Sequence, residues 1–213
     1  MKKVEKSSVL FACLMVLGLV LVSCGGGKSA FVGRWYLLEG SGSSIPKDIE
    51  LLKDGTGLAL EQAITWKTEK DRFYIMHPML AMAFNYKLSG SRLELTGDEG
   101  KRFVYFNKLG GDSALLGTWK IVPGDGETAP SFEYIFTKDG TIDLVFGETE
   151  TLGSAKWVAE NDVLYARGGG DYFRDFMATF DQQRVKYKIE GSTLTLTSLN
   201  DDGGPESAVF KKK

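Results

Sequence analysis

Two cysteines and one histidine are present among 213 residues, and that scarcity limits the available chemistry at once. His77 stands alone, so neither a histidine-rich metal cage nor an HExxH zinc helix can form. It could carry one acid–base step, but His77-Pro78 reads as a strand ending in a loop, with no partner motif beside it. No Gly-x-Ser-x-Gly, P-loop or GxGxxG occurs, and the glycines fall where hairpins should turn. Asp98-Glu99 and Asp201-Asp202 read as water-solvated turn carboxylates, and no glycosidase pair stands out. Asn200-Asp201-Asp202-Gly203 lacks the spaced acidic ligands and closing Glu of a calcium loop. These residues point away from an enzyme and imply neither a metal nor a cofactor.

Cys24 is the one reactive residue with a patterned context. Lys2, Lys3 and Lys6 precede the apolar run Val9 to Val22, which is too short to span a bilayer as a helix. The run ends in Leu21-Val22-Ser23-Cys24, followed by Gly25-Gly26-Gly27. This arrangement resembles the lipobox of bacterial lipoproteins. The resemblance implies a signal peptide over 1–23, itself a short signal helix, and cleavage between Ser23 and Cys24. It further implies a diacylglycerol and an N-acyl chain such as palmitate on Cys24, and a Gly-rich tether over 24–30. Two or more acyl chains anchor stably where one does not. Gly25 rather than Asp follows the cysteine, which favours the outer membrane of the cell envelope, with its periplasmic and surface-exposed faces both open. Cys13 would leave with the signal, so no disulfide or cysteine nucleophile is expected in the mature chain.

The remaining residues have the composition of a folded domain, with 43% apolar and 25% charged residues and a net charge of −2. That excludes wholesale disorder and a polycationic nucleic-acid binder. The 26 glycines and 12% aromatics, against five prolines, suit many short strands joined by tight turns.

An internal duplication organises the chain. Phe31-Val32-Gly33-Arg34-Trp35 recurs as Leu115-Leu116-Gly117-Thr118-Trp119, and Lys53-Asp54-Gly55-Thr56 as Lys138-Asp139-Gly140-Thr141. Trp66 matches Trp157, the segment Tyr86 to Thr96 matches Tyr187 to Thr197, and Phe106-Asn107-Lys108 matches Phe210-Lys211-Lys212. The offset grows from 84 through 85, 91 and 101 to 104 while the order is kept. Two copies, 31–109 and 115–213, follow, joined by a linker over 110–114.

Within each copy the apolar period is two. Phe84, Tyr86 and Leu88 share one face, as do Val185, Tyr187 and Ile189, and Asp54-Gly55, Asp139-Gly140 and Asn161-Asp162 sit between apolar runs as hairpin turns. About eight short strands result per copy, near 34–39, 48–52, 56–61, 63–69, 72–76, 82–89, 91–96 and 102–107 in the first. Close spacing without long crossovers predicts an all-β fold of two tandem antiparallel meander barrels, a sandwich being the alternative.

Gly33, Trp35, Gly117 and Trp119 then resemble the Gly-x-Trp signature of the lipocalin-like domains of bacterial lipoproteins, a family of largely unassigned function. The resemblance implies that each Trp plugs one barrel end under a cation from the last strand, a place near Lys108 and Lys211. Each copy is about half a full lipocalin, which leaves little room for a ligand cavity. The second copy carries an insertion in which Tyr172, Phe173, Phe176, Met177 and Phe180 follow helical spacing behind Asp171. A short helix plugging the barrel is expected there, with a lid over an apolar ligand as the other reading. Copy one has 11 basic and 10 acidic residues and copy two 11 and 16. The acidic second copy disfavours nucleic acid and anionic headgroups as its partners. The sequence thus points to a noncatalytic, membrane-anchored envelope lipoprotein, a binding module for a small apolar ligand or lipid. The alternative is a protein-interaction or envelope-structural lipoprotein with filled barrels. Its oligomeric state is not legible.

Overall fold

The computed structural model describes residues 28–40, 45–77, 80–123, 132–147, 150–169, 184–199 and 207–213. Residues 1–27, over which a signal peptide, Cys24 and the start of a tether are expected, and Tyr172, Phe173, Phe176, Met177 and Phe180 lie outside the described residues.

Period-two alternation becomes sixteen strands. The first eight are β1 (Gly33–Glu39), β2 (Asp48–Leu51), β3 (Thr56–Ala59), β4 (Gln62–Glu69), β5 (Arg72–His77), β6 (Leu80–Ser89), β7 (Arg92–Thr96) and β8 (Arg102–Phe106). The second eight are β9 (Gly117–Ile121), β10 (Phe132–Phe136), β11 (Thr141–Phe146), β12 (Glu150–Glu160), β13 (Val163–Gly169), β14 (Arg184–Glu190), β15 (Thr193–Ser198) and β16 (Ser207–Lys212). Each set pairs antiparallel with its sequence neighbour and closes on itself, β8 on β1 and β16 on β9, giving two closed barrels in tandem. Closure removes the exposed edges that open sheets carry. The sandwich alternative is not observed.

The duplication reaches individual hydrogen bonds. Trp66 N–H donates to Gly55 O at 2.7 Å and Trp157 N–H to Gly140 O at 2.9 Å, while the Trp66 and Trp157 indoles reach the carbonyls of Thr56 and Thr141. Register corrects the last block of the alignment. Leu93 faces Tyr105 and Leu194 faces Phe210, while Tyr36 faces Phe106 and Lys120 faces Lys211. Phe210 therefore answers to Tyr105 rather than Phe106, and the final offset is 105, not 104.

The tight turns 52–55, 70–71 and 90–91 gather at one end of the first barrel, with Phe31 buried beneath the 3₁₀ turn Lys28–Ala30. This is the closed end, and the other is the mouth. In the second barrel 137–140, 161–162 and 191–192 gather in the same way around Leu115, on the 3₁₀ turn Ser113–Leu115. Every increase in offset between the copies falls in a connection at the mouth.

The barrels stand side by side. Residue 38 of β1 is the extra residue of a bulge between Leu37 and Glu39, so that Leu38 and Glu39 both face outward. Leu38, Val104 and Phe106 on the outside of barrel one pack against Val158 and Tyr165 of barrel two, all at most 5% exposed, with Leu109 and Val163 alongside. The chain between the barrels is built into this seam. Gly110 donates to Trp157 O at 2.8 Å and accepts from Ala159 N at 3.0 Å. At Gly140 (φ +79°) an added Cβ would lie 2.3 Å from Leu109 Cβ, so only glycine lets this linker pass. Arg92 meets Glu160 near the closed ends, and Arg167 donates to Gly40 O near the mouths, so both closed ends lie on the same side.

Candidate functional site

The signature residues form the closed ends. Trp35 and Trp119 are fully buried, and their indoles donate at 2.7 Å to Phe31 O and Leu115 O. Phe31 is packed by Trp66, Phe73 and Tyr86 at 5.9, 5.6 and 5.2 Å between ring centroids. Gly33 and Gly117 adopt φ +133° and +114°, outside the usual range of other residues, and swing each strand inward from its plug. The cation over Trp119 is Lys212, 5.1 Å from the ring, whereas Lys211 donates to Thr193 Oγ1. By the corrected register Asn107 holds the corresponding place in barrel one, and Lys108 is exposed beyond it. These groups seal the barrel ends.

The interiors are occupied by side chains. Trp35, Leu37, Ile49, Leu51, Ile64, Trp66, Phe73, Ile75, Phe84, Leu93, Leu95, Phe103 and Tyr105 form one continuous buried cluster. Burial pushes the Tyr105 and Tyr134 phenols up, so both stay neutral, and Tyr105 donates to Pro46 O at 2.8 Å. In barrel two an apolar void of about 10 Å³ lies among Tyr134, Phe136, Ile142, Leu164, Val185 and Phe210, the room of about one water molecule. Its lining offers no charged side chain to orient a polar ligand.

His77 ends β5 in register with Leu80. Among the described residues no three His, Cys, Asp or Glu side chains gather as a metal site. The polar density lies instead on the seam, which composition and periodicity did not reveal. Six charges alternate across it, in the order Arg184, Glu39, Arg102, Glu94, Arg92, Glu160, with contacts between 2.5 and 3.5 Å. The Arg102 guanidinium bonded to Glu94 holds that carboxyl below its ordinary range, with Arg92 adding to the effect. Lys156 joins the mouth side, 3.0 Å from Asp48 and 4.0 Å from the Tyr36 ring centroid. Glu39 Oε2 and Arg92 Nε are buried without a hydrogen bond among the described residues. The arrangement locks the two barrels together.

A second surface feature is the outer face of β2 and β3. Leu58 and Leu60 are 46% and 59% exposed beside Arg34, Lys47, Glu50 and Glu61, around an open cleft of about 370 Å³. Leu60 and Glu61 form the hairpin tip with φ +52° and +63°, a conformation that glycine or asparagine normally supplies. Leu60 thus presents apolar surface to solvent from a backbone conformation that costs a non-glycine residue energy. Compared with known proteins, the chain matches no family model, no curated protein and no solved structure.

Proposed function

We propose that this chain is a noncatalytic lipoprotein of the bacterial cell envelope, held to the outer membrane by acylation of Cys24. Its two filled barrels serve as an interaction module through their outer surfaces. The supporting observation is the packed interior: each barrel is plugged at one end by buried aromatic or leucine side chains, and the apolar void among the core side chains of barrel two has room for about one water. A module whose interior is filled meets its partner on the outside, and the Leu58–Leu60 ledge carries the most exposed large apolar side chains described there. Cys24→Ser tests the anchor. The variant should leave the membrane pellet for the soluble fraction, because no described helix is long and apolar enough to cross a bilayer. Retention in the pellet would contradict the anchor.

A second reading, in which barrel two takes a small apolar ligand or lipid, is favoured by the wholly apolar lining of its void and by the aromatic run Tyr172 to Phe180. It requires saturable binding of an apolar fluorescent probe by the wild-type protein. The interaction reading expects none.

A further inference from the structure

We propose that the closed end of barrel one rests on the membrane surface that holds the lipid anchor, with both mouths turned away from it. The inference rests on the acylation of Cys24 proposed above and adds the face that meets the lipid.

Chain length sets the constraint. Only Gly25, Gly26 and Gly27 separate Cys24 from Lys28, the first residue of the 3₁₀ turn on the closed end. Four Cα steps reach at most about 14 Å. Acyl chains on Cys24 therefore hold this end of the barrel against the headgroups, whatever path the glycines take.

The surface there suits that position. Val32 and Leu52 are large apolar residues 37% and 45% exposed, on the segments that ring the Phe31 plug. The Trp66 indole donates to Leu52 O, and the Tyr86 hydroxyl to Lys70 O, which fixes both turns around the same plug. Lys28, Lys53, Lys70 and Lys108 are exposed around them, against Asp54, Asp71 and Glu69, the last paired with Lys67. Asp54 is engaged within its own turn, accepting from Thr56 N at 2.9 Å and Thr56 Oγ1 at 2.6 Å. Apolar tips inside a ring of lysines match an anionic headgroup layer over acyl chains.

The opposite ends are unsuited to it. By sequence, the connections of barrel two at the mouth (122–131, 147–149, 170–183 and 199–206) contain nine Asp or Glu and one basic residue, Arg174. An anionic surface repels that end. Because the seam fixes both closed ends on one side, the two preferences add. The Leu58–Leu60 ledge then stands on the flank of barrel one with its tip at the mouth, open to a partner.

The test places a fluorophore at single cysteines in acylated protein reconstituted into vesicles of phosphatidylethanolamine, phosphatidylglycerol and headgroup-nitroxide lipid. Leu52→Cys and Val32→Cys report the closed end, and Leu60→Cys and Phe146→Cys report the mouths. All four sites are partly exposed, so labelling leaves the core intact. The acyl mass on Cys24 is measured on the same samples. Several-fold stronger quenching at positions 32 and 52 than at 60 and 146 is expected. Equal quenching, or stronger quenching at the mouths, in acylated protein overturns the inference alone. Absence of acyl mass overturns the anchor and the inference with it.

Discussion

Phe106 of β8 and Tyr165 of β13 face each other across the seam with ring centroids 5.0 Å apart, each belonging to the outer surface of its own barrel. An outward aromatic would ordinarily be wet. Here Phe106 is fully buried and Tyr165 is 4% exposed, so the tandem barrels share apolar surface as one body.

Removing that contact should therefore destabilise both barrels. Phe106→Ala is expected to cost about 3–5 kcal/mol, as for a core phenylalanine, and the full chain should melt in a single transition that moves as a whole. Two separate transitions, only one of them shifted, would show the barrels to be independent. Residues 31–109 expressed alone would expose Leu38, Val104 and Phe106 and should self-associate.

The charge chain around the seam makes stability acid-sensitive. Glu94 is held below its ordinary value of 4.5 by the Arg102 hydrogen bond. A carboxyl depressed in the folded state contributes stability above its unfolded pKa, and that contribution is lost as pH falls through the folded value. The urea midpoint of the wild type should drop between about pH 5 and about pH 3. Glu94→Gln should lower the midpoint at neutral pH and flatten the acid limb. An unchanged acid limb in the variant would assign the sensitivity elsewhere.

Register predicts which lysine matters at the second closed end. Lys212→Met keeps the aliphatic stem but removes the cation over Trp119, at a cost of about 0.5–1 kcal/mol. Lys211→Met, on an exposed side chain bonded to Thr193, should stay within about 0.5 kcal/mol of wild type. Denaturant midpoints of the two variants decide the matter, and a larger loss at Lys211 would contradict the pairing of β16 with β9.

The strands were legible because each barrel has one wet face, so period two marks them, as in Leu93–Leu95 of β7. The seam was not, because it breaks that period. Phe103-Val104-Tyr105-Phe106 is a run of four buried apolar residues, the signature of a strand covered on both faces. That run also misled the alignment of the copies, since its last phenylalanine looks like Phe210 while Tyr105 holds the inward position. The same run is the sequence signal for the seam and, through the register of its inward Tyr105, for Lys212. The alternation of Arg and Glu across the barrels joins residues as far apart as Glu39 and Arg184, which no local pattern can show. Glu39 was hidden for another reason as well, a bulge at residue 38 that turns it to the same outer side as Leu38.

An acylated Cys24 and barrels filled by their own side chains together define the proposed lipoprotein. A native mass spectrum of protein extracted from its own membranes reads both at once. The predicted result is one species carrying the diacylglycerol and N-acyl mass on Cys24 and no further retained molecule. An unmodified Cys24, or a stoichiometric lipid released only on unfolding, would contradict it.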